Sequence, residues 1–281
     1  MDDFIRNKRK QKTKIILIQV LVLVSFLLIW EVSARFKLID SFLFSKPTSV
    51  YNSFITYFKN GEIFEHIFIS LLETIIGLIV GTLGGFIIAI LLWYYPFVYK
   101  IFSPFLVVFN ALPKTALAPV VIIWVGTNVK GIIVVAITIF IVMSVISFLN
   151  GFNQVEEEKI KMLQSFNATR LQVLFKLIIP ANLVNILSII KINIGLSWVG
   201  VIVGEFLVSK AGIGYLIMYG TQVFKMDLVM MGVVTLAILS FVMYGVFCII
   251  EKKLLKRRGW INEKIIMFYK FINKYFLFNW V

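Results

Sequence analysis

Apolar residues run along this chain in long blocks separated by short polar stretches. The blocks cover residues 15–30, 67–93, 100–125, 131–149, 182–204 and 229–250. Most approach the ~20 residues that a helix needs to cross a hydrocarbon core, and they lack the ~10-residue alternating segments of a membrane barrel. The pattern predicts an all-α polytopic membrane protein with about six transmembrane helices. The first block follows a polar, basic arm at residues 1–14. No small-residue cleavage site follows it, so it reads as a retained anchor. Between the first two blocks, Pro47-Thr48 opens a short amphipathic helix carrying Val50, Phe54, Tyr57 and Phe58.

The longest polar interruption is residues 151–180, GFNQVEEEKIKMLQSFNATRLQVLFKLIIP. Asn153 followed by Glu156 is a helix N-cap signature. Ile160, Leu163 and Phe166 then fall on one helical face, and Leu171, Leu174, Phe175 and Ile178 on a second. Asn167 separates them, and asparagine tolerates a left-handed backbone better than any residue except glycine. The segment predicts helix, turn, helix, closed by Pro180. Such a knob, with apolar ridges and charged edges, is shaped to enter a groove in a partner. Two readings stand for Glu156, Glu157 and Glu158: pairing with a basic partner, or a solvated helix start whose dipole favours carboxylates. Arg170 either docks or pairs locally with that acidic run.

Composition narrows the function. The chain has 281 residues, 60% of them hydrophobic, with a net charge of +14. A soluble domain averages ~45–50% apolar, so the basic excess belongs to membrane flanks rather than to nucleic-acid binding. Taking the N-terminus as cytoplasmic, six Lys/Arg lie in residues 1–14, one at Lys100, four in 151–180 and eight in 252–281. The opposite side holds four in 31–66 plus Lys130, Lys210 and Lys225. This bias predicts both termini inside and the 151–180 loop cytoplasmic. The tail at 252–281, with KKLLKRR and interleaved aromatics, reads as a basic amphipathic segment on anionic lipid, or else as a regulatory arm.

No catalytic or metal site is legible. The one histidine, His66, excludes a His-rich metal centre. The one cysteine, Cys248, sits in an apolar run and reads as a small hydrophobe. The chain carries no GxxxxGK[ST] loop and no nucleophile motif, so it is expected to be neither an enzyme nor a holder of a cofactor. Other features are structural in kind. Gly77, Gly81 and Gly85 form a GxxxGxxxG close-packing face, read as a contact within the subunit rather than a dimer seam. Pro104, Pro113 and Pro119 prevent a straight third span, leaving either a gate beside Lys114 or a packing kink. Glu73 either serves transport or snorkels near the outer interface. Lys191 reaches either the cytoplasmic interface or a carboxylate. Glu205, with Gly212, Ile213, Gly214 and Tyr215 after it, belongs to a gate, a docking surface or a flexible loop.

The 151–180 loop resembles the cytoplasmic loop of membrane subunits of binding-protein-dependent ABC importers. That motif is Glu-Ala-Ala, three residues, Gly, nine residues, Ile-x-Leu-Pro. Here the Glu-Ala-Ala positions are Lys161, Met162 and Leu163, the glycine position is Asn167, and Ile179-Pro180 closes it. The residues depart but the spacing holds. The segment ATRLQV at 168–173 is similar to the continuation of the motif. WEVSARFKLIDSFLFSKPTSV (30–50), ALPKTALAPVVIIWVG (111–126) and GLSWVGVIVGEFLVSKAGIGYLI (195–217) resemble, in order, the first outside loop, third span and fifth span of the nitrate/sulfonate/taurine branch.

The resemblance implies a type I importer permease in a bacterial inner membrane: a basic arm (1–14), a transmembrane domain (15–251) and a tail (252–281). Its partners would be two ATPase subunits, an extracytoplasmic substrate-binding protein and a second permease copy, with a homodimer expected. The solute would be small, such as a sulfonate, taurine, nitrate or a thiamine-precursor pyrimidine. Carried over residue by residue, Glu156, Glu157, Glu158, Lys161, Asn167, Arg170 and Pro180 would couple to the ATPase. Pro113, Lys114, Pro119, Asn193, Ser197, Gly200 and Glu205 would form the pathway or its gate. The alternative is an ion-coupled secondary transporter, which needs carboxylates deep in the bilayer, where only Glu73 is a candidate.

Overall fold

Proline or glycine stands at several helix boundaries among the described residues. The computed structural model describes residues 2–257, and the tail expectation beyond Arg257 lies outside the described residues. The described chain comprises α1 (Asp2–Arg35), α2 (Ser41–Phe44), α3 (Pro47–Lys59), α4 (Glu62–Tyr94), α5 (Pro96–Ala111), a 3-10 turn (Lys114–Leu117) and α6 (Ala118–Val125). Then follow α7 (Val129–Asn153), α8 (Glu157–Ser165), α9 (Arg170–Val173), a π segment (Leu174–Ile178), α10 (Ile179–Ala181), α11 (Leu183–Val208), α12 (Ile213–Gln222) and α13 (Met226–Arg257). Among the described residues, five helices are long and apolar enough to cross a membrane: Thr13–Arg35, Glu62–Tyr94, Val129–Asn153, Leu183–Val208 and Met226–Lys256. A sixth crossing is supplied if the pair Pro96–Ala111 and Lys114–Val125, bent by 90°, counts as one broken span.

That broken pair refines the expected third span. Pro104 sits inside α5 without ending it. The break falls at Leu112-Pro113, where Leu112 is extended (φ −65°, ψ 140°), as the residue before a proline prefers. Pro119 then occupies the first turn of α6, where its missing N–H costs nothing.

The chain divides into two compact units. Among described residues, the first holds 2–72 and 205–236. Here α1 presents most of its apolar side chains outward, and its Glu31 carboxylate accepts from the backbone N–H of Thr48 at 3.1 Å, in the first turn of α3, and from Arg35 Nε at 2.7 Å. A carboxylate at a helix N-terminus satisfies an orphan donor and suits the dipole. Ser45, in a left-handed conformation (φ 56°), donates to Asp227 at 2.6 Å at the start of α13. The expected helix with Val50, Phe54, Tyr57 and Phe58 is α3, with Val50 buried.

The second unit holds 73–204 and 237–257. At its centre is α7, flanked by small residues of α4 and α11. A Cβ at Gly81 would lie 2.4 Å from the Phe140 ring, at Gly85 2.9 Å from Ser144 Cβ, and at Gly200 2.5 Å from Ala136 Cα. The glycines let these backbones approach, so the GxxxGxxxG face is a contact within the subunit. Phe148, Phe152, Ala89, Leu92, Val145, Leu149 and Ile189 form the buried core at one end of α7, joined by Val173, Leu174 and Ile178 from the 151–180 loop. The Phe86 ring meets Phe148 and Phe152 edge-on at 5.2 and 5.9 Å.

Candidate functional site

The 151–180 loop folds as a hairpin of two short helices, and its turn is built by local hydrogen bonds. Phe166 ends α8, and Asn167 turns the chain at φ 58°. The N–H of Ala168 donates to Leu163 O at 3.1 Å, and that of Asn167 to Gln164 O at 2.9 Å. This is the Schellman arrangement, which satisfies the last carbonyls of a helix and needs a residue that accepts positive φ. Thr169 then starts α9 with a capping box: Gln172 N–H donates to Thr169 Oγ1 at 3.3 Å, and Thr169 N–H to Gln172 Oε1 at 2.8 Å. The chain passes through the π segment, where Pro180 offers no N–H to the preceding turn. The long span begins at Leu183, three residues after Pro180.

The expected cap at the start of the loop lies elsewhere. Asn153 is the last residue of α7, which stays helical because Gly151 and Phe152 remain buried. Glu156 takes the N-cap of α8 without a side-chain hydrogen bond. The two expected apolar faces are each split. Ile160 and Leu163 pack toward the core, and Leu174 and Ile178 are buried in it. Phe166, Met162, Leu171 and Phe175 instead point outward, Phe166 at 78% exposure.

The charged residues sit on the rim of this apolar knob. Glu156 pairs with Lys159 at 3.0 Å and Glu157 with Lys161 at 3.4 Å, while Glu158 is exposed. Exposed pairs of this kind contribute little to stability, so the acidic edge remains available to a partner. Arg170 does not pair with the acidic run. Its Nη2 donates to the backbone carbonyl of Trp93 at 3.1 Å, and its guanidinium lies 5.4 Å from the Trp93 ring centre and 5.7 Å from that of Tyr94. Leu92, Trp93, Pro96, Glu157, Lys161 and Arg170 line a cleft of about 410 Å³ at the root of the hairpin.

The pathway candidates fall into three places. Pro113 and Pro119 bracket the break after α5, and Lys114 folds back so that its Nζ donates to Asn110 O at 3.0 Å and Oδ1 at 3.2 Å. This caps the end of α5 with a cation. Asn193, Ser197 and Gly200 sit in the packed joint of α4, α7 and α11. Asn193 Nδ2 donates to Thr82 Oγ1 at 3.0 Å, its Oδ1 accepts from Ser144 at 2.9 Å, and Ser197 donates to Thr74 O at 3.0 Å. In this conformation they join helices rather than face an opening.

Glu205, in the other unit, is buried and accepts from Ser70 Oγ and from the N–H of Gly214, both at 2.5 Å. Ser70 Oγ also accepts from Ile213 N–H at 2.7 Å, and His66 Nδ1 from Gly212 N–H at 2.9 Å. Three successive donors at the start of α12 are thus met by side chains of α4 and α11.

Three partner residues escaped the sequence reading: Glu251, His66 and Ser70. Lys191 Nζ binds both oxygens of the fully buried Glu251, at 3.0 and 3.2 Å, sixty residues along the chain. His66 and Ser70 carry no motif, and only the three-dimensional approach of Gly212–Gly214 gives them a role. Glu73 does not snorkel; it is 1% exposed. Cys248 is buried, in line with a small hydrophobe.

With this geometry in place, comparison with known proteins decides the family. A model described as "Binding-protein-dependent transport system inner membrane component" matches residues 81–256. The chain belongs to this family. It is therefore a multi-pass inner-membrane permease component of a transport system of the ABC importer type, which works with an ATPase and a substrate-binding protein. It is 28% identical over 232 residues to the putative aliphatic sulfonates transport permease protein SsuC of Bacillus subtilis, covering 82% of this chain and 84% of that one. To the taurine transport system permease protein TauC of Escherichia coli it is 26% identical, covering 77% and 81%. To the formylaminopyrimidine transport permease protein ThiX of Halalkalibacterium halodurans it is 25% identical, covering 67% and 75%. Among solved structures, an inward-facing form of the MetNI methionine ABC transporter aligns with a TM-score of 0.59 at 16% identity, covering 69% of this chain and 97% of that one, and so shares its fold.

Proposed function

We propose that two copies of this permease form the pathway of an ATP-driven importer, with both termini and the 151–180 hairpin on the cytoplasmic side. Each hairpin would enter a groove on one of two ATPase subunits. The observation that carries this reading is the knob itself. Phe166, Met162, Leu171 and Phe175 stand exposed, while Val173, Leu174 and Ile178 of the same loop are rooted in the core. A rigidly rooted apolar tip with an acidic rim is what groove docking requires. Glu156, Glu157, Glu158 and Lys161 supply the rim, and Asn167 and Pro180 fix the path of the chain. Closure of the ATPase pair would move the hairpins and rock the spans between inward-open and outward-open states.

The solute is proposed to be a small sulfonate, taurine, nitrate or pyrimidine precursor, as the relatives and the sequence resemblance indicate, with selectivity residing largely in the binding protein. The break at Pro113–Pro119 with Lys114, and the cap built on Glu205, are proposed as parts of the gate. Two measurements test the assignment. The first is uptake by cells carrying Glu157→Lys with Glu158→Lys, expected to fall together with recovery of the ATPase from solubilised membranes. Unchanged uptake with no ATPase recovered from the wild type would refute it. The second is the melting temperature of the cognate substrate-binding protein with each candidate solute, in which a shift for one class alone names the cargo.

A further inference from the structure

Arg170 opens α9, but its side chain serves a different helix. The last four carbonyls of a helix have no intrahelical partner, and Trp93 lies among those of α4. Pro96, which starts α5, has no N–H to offer them. The Arg170 guanidinium fills this place. It donates to Trp93 O at 3.1 Å and lies close to the Trp93 and Tyr94 rings, adding cation–π attraction and a positive charge at the negative end of the helix dipole. On the hairpin side, the Thr169–Gln172 capping box fixes the residues flanking Arg170, and Val173 is buried. The two ends of the link are therefore both anchored, one in a membrane span and one in the hairpin.

We infer that Arg170 is a positioning residue that staples the coupling hairpin to the cytoplasmic end of α4, so that displacement of the hairpin is passed to this span as a rigid movement. This rests on the hairpin being the ATPase-docking element. It assigns Arg170 to transmission within the permease rather than to contact with the ATPase. Lysine at this position retains a charge and a donor but not the planar fork, so it restores the link in part.

The test uses the full complex with its ATPase, in a Cys248→Ala background carrying spin labels at Leu91→Cys on α4 and Ser165→Cys on α8. Distances are measured without nucleotide and after trapping with ATP and vanadate. The wild-type residue gives one narrow distribution common to both states. Arg170→Ala loses it, broadening in the resting state and shifting on trapping, while ATPase recovery stays at the wild-type value. Arg170→Lys falls between. Identical distributions for wild type and Arg170→Ala would overturn the inference, as would a wild-type distance that shifts on trapping as much as the variant's. If no ATPase copurifies even with the wild type, the docking reading and the transmission role fall together. The nucleotide-free comparison in the permease alone then still decides whether the staple exists.

Discussion

Asn167 shows how much one residue can determine. It sits at φ 58°, a conformation that costs a branched residue roughly 1–2 kcal/mol. Asn167→Gly is expected to leave thermal stability in detergent unchanged, whereas Asn167→Val lowers it and loosens the hairpin to proteolysis. This position was legible in the sequence because a left-handed turn is a local property. That Lys191 reaches a carboxylate was one of its two readings, but that the carboxylate is Glu251 was not legible, because the partners lie sixty residues apart and nothing in either flank marks the other. Glu251 is fully buried, and breaking a buried ion pair by removing one member typically costs about 3–5 kcal/mol. Lys191→Met or Glu251→Leu alone should therefore depress the melting temperature strongly, and the double variant should recover most of it. A double variant no more stable than the singles would show that the pair is not the link.

At the scale of elements, five spans were read from the length of apolar runs and the glycine face of α4 from its spacing, while the expected third span is a pair of helices bent by 90°. What lay against that face was not legible. Gly200 meets the backbone of Ala136 and Gly195 meets nothing within 4 Å, yet both are glycines of one apolar helix. Gly200→Ala is expected to force α11 away from α7 and lower both expression and melting temperature, and Gly195→Ala to be neutral or slightly stabilising. Equal behaviour of the two would argue against the close α7–α11 approach. The hairpin gives the same lesson in another form. The Asn153-to-Glu156 signature suggested a cap, but burial of Gly151 and Phe152 kept α7 helical through Asn153. The working box is Thr169–Gln172, and Thr169→Ala should cost about 1 kcal/mol, read by thermal unfolding.

For the whole molecule, the account is one of a permease with an outward knob rooted in its own core. The order of the resembling segments pointed to the family before any coordinates, because that order spans most of the chain. The split of each apolar face into a buried half and an exposed half was invisible, since it depends on how α8 and α9 are phased by the turn and the π segment. That split is the basis of the docking proposal. The most direct test is a cross-link from Phe166→Cys in the Cys248→Ala background, formed in native membranes with a short bifunctional reagent against single cysteines around the ATPase surface. The account predicts a cross-linked permease–ATPase species from Phe166→Cys and none from a control cysteine at Ile29, on the exposed surface of α1. A permease that copurifies with its ATPase yet yields no cross-link from position 166 would contradict it.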